Sequence, residues 1–424
     1  MNNELTRRSL LASTIAAAAI PPAALAAERT LNVLCHRVHK ACLTGGAAGD
    51  LTAPWCKANN ATIAWTTLDT GPLQDRLFRE ASLGSTDYGV GYLVNSRATA
   101  NAAKLLESLD ADQAKAPIAD MGDIAPGLAK AMAIDGKLIG IPVREATMGL
   151  FYNEVLMQQR GIAAPPKSVE ELVAQAGKLT FRDKDGAPIT GMVMASDLAV
   201  FPVTFMRAYG GDFISADMKV FPDPDAAVKA LTTMHGMYKD GSLPRSYATT
   251  SNDDQASWIQ QGRAAFTTLP FARYAQLNNK DQSRFPGHIK AMEFPKSATL
   301  KAPMASCTEF WAMSIPGNST QKDLAWSFIR AMSSPAVTLG AALNGNGPVR
   351  LSTYRDAKFL AAQPTASIEE QALEHARVPL PAFPNAAQAQ SILLEEVQLA
   401  VLGRKTPQEA VATIIKRATP LVHA

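Results

Sequence analysis

The sequence predicts an α/β protein of two lobes, each a mainly parallel sheet flanked by helices, joined by a hinge that the chain crosses more than once. Three observations carry this. Between residues 31 and 106, short apolar runs alternate with runs of helical period, the β-α-β-α order of a parallel sheet. Asp135-Gly136, a tight-turn pair, leads through an apolar run containing Pro142 into the polar patch Arg144-Glu145-Ala146-Thr147, and a second apolar run follows at residues 149–152. Two strands joined by such a polar linker are how a chain passes between lobes, and small-ligand sites favour lobe boundaries. The length, 424 residues, suits two domains, and 47% hydrophobic with 19% charged residues is ordinary globular composition.

The elements follow in order. Residues 1–26 carry Arg7-Arg8, an apolar stretch from Ala12 to Ile20 and the cleavage pattern Ala24-Leu25-Ala26, and are expected to be a twin-arginine signal peptide. The apolar stretch is too short for a bilayer span of about 20 residues. The expected address is the periplasm. Residues 31–34 open the mature fold as a strand, 61–68 form the next, and 87–94 a third. Leu73, Leu77, Phe78 and Ala81 fall at helical spacing between the second and third strands. Residues 98–106 also read as helix. The helix at 153–160 is stopped by Gly161 and Pro165-Pro166, and Ser168-Val169-Glu170-Glu171 caps the next one. Helices at 201–209, 223–238 and 254–261 precede a strand at 264–269. A strand at 307–315 and an amphipathic helix at 322–332 are expected to return to the first lobe, and the Gly/Pro-rich segment 344–350 to cross to the second. Helices at 388–402 and 407–417 close the chain. The expected units are 27–143 with 303–343, and 144–302 with 344–424.

Composition and motifs exclude several function classes. A formal charge of 41 − 38 = +3 gives no strong bias toward nucleic acid or membrane. There is no G-x-S-x-G, no H-E-x-x-H, no phosphate-cradling G-x-x-x-x-G-K-[ST] and no complete G-x-G-x-x-G, and no carboxylate pair stands out for glycoside hydrolysis. Nothing positive indicates an enzyme, and no cofactor is implied. Cys35-His36…His39…Cys42 lacks the spacing of common zinc sites. In an oxidising compartment, Cys42 and Cys56, which flank the Gly-rich loop TGGAAGD, are expected to form a disulfide.

Several segments, in this order and spacing, resemble family 1 extracellular solute-binding proteins of ABC importers. They are GIPV…LFYNEVLMQQRGIAAPPKSVEEL at the hinge, STDYGVGYLVNSR, YGGDF, GRAAFTTLPF, TEFWAMSIPGNSTQKDLAWSFI, and PNAAQAQSILLEEVQLAVLGRKTPQEAV near the end. Together they cover nearly the whole mature chain. The resemblance implies a type II-like periplasmic binding protein fold. It implies capture of a small carbohydrate (sugar, polyol or acidic sugar) by lobe closure, with delivery to importer permease subunits, and an expected monomer. A module presenting its loaded form to a membrane sensor would need the same clamp. The family also includes binders of polyamines and iron, and too few cleft carboxylates and no tyrosine cluster argue against these.

The expected site follows from the resemblance and from the strand ends, where ligands sit in such sheets. Trp311 aligns with the aromatic of the family's "GGW", and Phe271 lies near the tryptophan of its "GPW"; both could equally be core. Glu145 lies in the hinge linker and Glu309 beside Trp311. His36 and Arg37 end the first strand, Asn95 and Arg97 the third. Asp197 falls in a loop of the second lobe. Arg144 lies in the linker, and Arg350 in a "GxxPxR" segment. Where the family reads Gly-Gly-aromatic this chain reads Glu309-Phe310-Trp311, so alternation puts Glu309 and Trp311 on one face and Phe310 on the other. Phe201 and Tyr209 are expected in the core.

Overall fold

The computed structural model describes residues 28–422; the expected signal peptide lies outside the described residues. The first lobe opens with β1 (Arg29–Cys35), β2 (Ala61–Thr67) and β3 (Tyr88–Val94), with β1 parallel to both others. The helix Thr70–Ala81 covers this sheet through Leu73 and Leu77, as their spacing predicts. A small hairpin, β4 (Ala133–Ile134) and β5 (Lys137–Leu138), turns on Asp135 and Gly136, which have φ of +49° and +75°.

The chain then enters β6 (Ile141–Asn153), a single strand of 13 residues. The second lobe adds β7 (Phe181–Arg182), β8 (Pro188–Val193), β9 (Ala264–Pro270) and β10 (Ile289–Met292), and β11 (Thr308–Ser314) returns to the first. The strands form one sheet in the order β2-β1-β3-β11-β6-β9-β8-β7, with β10 also paired to β6. The predicted parallel strands are parallel, as are β8 and β9. The crossing strands β6 and β11 pair antiparallel, so the whole sheet is mixed.

The expected polar linker at 144–147 is not a break between two strands. Its backbone is zipped to β11, with Thr147 opposite Thr308, Ala146 opposite Glu309 and Arg144 opposite Trp311. Pro142, which cannot donate to a ladder, sits beside the register shift between Trp311 and Ala312.

Two large cores lie on either side of this crossing. The sequence expectation moves the chain to the second lobe at 344–350, but Val349, Tyr354, Phe359, Ala366 and Leu373 remain in the first core. Arg350 holds this stretch back, and the second core begins again at Leu380. The third crossing therefore runs through residues 376–380. There Thr308 N–H donates to the Arg377 carbonyl at 3.0 Å, laying this segment beside the start of β11. Gly347 packs against β6 so closely that a Cβ would stand 2.0 Å from the Glu145 carbonyl oxygen, which only glycine permits.

Arg207, on the buried helix Val200–Ala208, ties two crossings to the second lobe. Its guanidinium donates to the carbonyls of Arg377 (2.9 Å), Val378 (2.6 Å) and Ser306 (3.4 Å), and pairs with the buried Asp212 at 3.1 Å. The expected Cys42–Cys56 disulfide is absent: both are free thiols. Cys42 is buried and lies 3.9 Å from the Arg144 guanidinium, while Cys56 sits on a separate helix, Ala53–Asn59.

Because Arg207 is the donor to the Val378 carbonyl and a partner of the buried Asp212 carboxylate, Arg207→Met is expected to cost about 3 kcal/mol or more by removing it from both. Chemical denaturation of both proteins measures this; a loss below about 1 kcal/mol would show that water satisfies these groups instead.

Candidate functional site

β11 places its side chains as strand alternation requires. Thr308, Phe310 and Ala312 are buried, with Phe310 in the first core, whereas Glu309 and Trp311 are partly exposed on the other face. Trp311 lies opposite Val94, the last residue of β3, and so stands at the carboxyl edge of the parallel strands. His36, immediately after β1, is 6.5 Å from it, and His39 meets its ring edge-on at 4.8 Å. His39 stacks in turn on Tyr92 at 4.4 Å.

The histidine pair has a local origin. His36 caps the helix Arg37–Thr44 by accepting from Val38 N–H at 3.2 Å, and His39 Nδ1 accepts from His36 N–H at 3.3 Å. Burial holds His39 well below the usual imidazole range, with the Arg144 charge adding to it. Burial and the neighbouring Arg37 charge lower His36 as well. The plate under Trp311 is therefore neutral at physiological pH. Beside it, the Glu309 carboxylate has no hydrogen-bond or ion-pair partner among the described residues, and desolvation raises its pKa. Trp311 thus offers an aromatic face next to an acceptor with no protein donor.

The other expected site residues divide. Arg37 is exposed and reaches Asp69 at 2.9 Å. Arg144 is half-buried and donates to Asn346 at 2.9 Å. Arg97 and Asp197 are exposed, on the turns following β3 and β8. Asn95 is buried, and its side chain accepts from Phe310 N–H at 2.9 Å, fixing the turn that carries Arg97 to the strand that carries Trp311. It positions the site rather than facing a ligand.

Three expectations are corrected. Phe271 is fully buried against Phe151, 6.3 Å away, and against Gly149, so it is core and not an aromatic plate. Arg350 is fully buried and donates to the carbonyls of Ser333, Ala119 and Asp120, which leaves nothing for a ligand. Glu145 is also fully buried: it accepts from Thr147, through both N–H and hydroxyl, and from the Tyr354 hydroxyl at 3.3 Å. Phe201 is core, as expected, and Tyr209 packs against it half-buried. Among the described residues, no group of three or more His, Cys, Asp or Glu side chains is placed to hold a metal ion.

Residues 50–366 match the family described as bacterial extracellular solute-binding protein. The chain belongs to that family. A probable amino-acid ABC transporter periplasmic-binding protein of Sinorhizobium fredii is 22% identical over 282 residues, which span 66% of this chain and 63% of that relative. The sn-glycerol-3-phosphate-binding periplasmic protein of Yersinia enterocolitica is 22% identical over 307 residues, 68% of each chain. Among solved structures, maltose-bound MalE3 of T. maritima superposes with a TM-score of 0.79 at 22% identity, covering 93% of this chain and 99% of that one. A solute-binding protein of Agrobacterium radiobacter in complex with ribitol gives 0.78 at 21%, covering 93% and 98%. These likenesses establish the two-lobe fold of this solute-binding protein.

The structure also brings in groups that sequence reasoning missed. Tyr92 and His39 support Trp311, and only the three-residue spacing of the two histidines hinted at it. Arg377, paired with Asp212 at 3.0 Å, lies where the third crossing meets β11, and no motif marked it. The fully buried Glu369 carboxyl lies beside Glu145, with the Gln363 side chain also close to it. Burial first, and then the Glu145 charge, push its carboxyl well above the usual range, so its protonated form is favoured.

This proton gives the solute-binding protein a pH signature. The unfolded chain releases it near the ordinary carboxylate pKa. The contribution is therefore fully present below that value and is lost as pH rises toward the raised folded value. Glu369→Gln has no such proton to lose, so its melting temperature is expected to gain on that of the native protein between about pH 5 and about pH 8. Parallel melting curves across that range would show that Glu369 is not the buried acid.

Proposed function

We propose that this protein is the periplasmic capture component of an ABC importer, closing its two lobes on a small carbohydrate and delivering it to the permease. The observation that carries the reading is the pairing of a half-exposed Trp311 with the unpartnered Glu309 carboxylate at the lobe boundary. A sugar or polyol has apolar C–H faces and many hydroxyl donors, so it needs an aromatic surface and an acceptor that protein groups have not already filled. Glu309 can accept from two hydroxyls, and His36 and Asp197 stand on opposite lobes to add others.

Closure follows from differential affinity. A solute held by the first lobe alone shifts nothing; one touched by both stabilises the closed arrangement. Family membership supports transport over catalysis. The maltose and ribitol complexes among the structural neighbours, and the glycerol-3-phosphate-binding relative, support polyhydroxylated solutes. The side chain of Glu309, where the family has a glycine, favours a mono- or disaccharide or a polyol over a long oligosaccharide. The Arg7-Arg8 leader supports export of the folded protein by the twin-arginine route.

A thermal-shift panel of sugars, polyols and sugar acids tests the reading, since a ligand of the native state raises its melting temperature. For any hit, Trp311→Ala is expected to weaken binding by about 1.5–3 kcal/mol, roughly 10- to 150-fold, in calorimetry. Unchanged affinity would remove Trp311 from the site, and the absence of any hit would remove carbohydrates.

A further inference from the structure

A pocket of about 320 Å³ opens between the lobes, lined by residues of both and not by Trp311 or Glu309 themselves. Ser96, Arg97 and Thr99 of the first lobe line one wall. Leu380, Phe383 and Gln390 line the other, and the first two of these belong to the second core. The pocket is amphipathic, and its charge is one-sided: Arg97 is the single ionisable side chain in its lining, and no carboxylate is present.

The arginines near the cleft are otherwise engaged. Arg37 is held by Asp69, Arg144 by Asn346, Arg377 by Asp212, and Arg350 by backbone carbonyls. The Arg97 guanidinium has no hydrogen-bond or ion-pair partner among the described residues. Its turn is fastened to β11, where the buried Asn95 accepts from Phe310 N–H. The first turn of the helix Ala386–Val401 faces the same space through Ala386 and Ala387, and its N-cap residue, Asn385, makes no side-chain cap. A guanidinium fork on one lobe is thus held opposite the wall of the other across a space without negative charge.

The geometry points to an anionic solute: a small hydroxylated molecule bearing a carboxylate or phosphate, whose oxyanion pairs with Arg97 in this pocket while its hydroxylated part lies toward Trp311 and Glu309. This rests on the carbohydrate reading above and narrows it. Planar, bidentate recognition of an oxyanion is what a free guanidinium does best, and a neutral sugar would leave it unused. An oxyanion held between Arg97 and the second-lobe wall would also touch both lobes, and so contribute to closure directly.

The test compares matched pairs by calorimetry with the full mature chain: glucose against glucuronate, sorbitol against gluconate, and glycerol against glycerol phosphate. At least one oxyanion is expected to bind roughly ten-fold or more tighter than its neutral partner, and the advantage should shrink as salt rises. The first two pairs report a carboxylate and the third a phosphate, so the arms separate the two sources of charge. Arg97→Gln should abolish the advantage, and Arg97→Lys, which keeps the charge but not the fork, should retain part of it. Equal affinity within every pair, or an advantage that survives Arg97→Gln, overturns the inference. Binding of neutral members alone overturns it and leaves the carbohydrate reading standing. Failure of every member to bind overturns both.

Discussion

One strand belongs to both lobes, and the rest of the molecule is arranged around that constraint. β6 gives residues 141–147 to β11 and residues 148–153 to β9 and β10, so the two lobes share one hydrogen-bonded sheet. A hinge made this way cannot be a free linker. Any motion between lobes must twist or bend paired backbone, which confines it to a small set of closures. The polar residues of the crossing then need partners behind the cleft. Glu145 finds them in Thr147 and Tyr354.

The charged groups sort themselves by this geometry. Arg207 and Arg350 look like ligand-binding arginines in isolation, yet each is spent on backbone carbonyls of segments that change direction near the hinge. A buried fork of donors can satisfy several such carbonyls at once. Glu309 and Arg97, by contrast, have no side-chain hydrogen-bond or ion-pair partner among the described residues.

Much was legible in the sequence because it is local. The parallel strands and their covering helix follow from periodicity, the Asp135-Gly136 turn from backbone preference, and the shared face of Glu309 and Trp311 from alternation along a single strand. The position of Trp311 at the lobe boundary was legible through the ordered motifs. Each of these depends on neighbours within a dozen residues, where spacing alone fixes direction.

What spacing could not supply was the partner of a side chain across the fold. The sequence offered Phe271, Glu145 and Arg350 as site residues, and only tertiary packing turned the first into core and the other two into hinge ties. Likewise, Cys42 and Cys56 flank one loop, but the helices that carry them present one thiol to Arg144 and leave the other apart. The third crossing at 376–380 was hidden for the same reason, since it is fixed by Arg207 and β11, more than sixty residues away in sequence. The sequence by itself determined the elements, the order of the lobes and the family. The tertiary structure decided which polar groups are already satisfied, because hydrogen-bond capacity is spent between segments that meet only when the chain is folded.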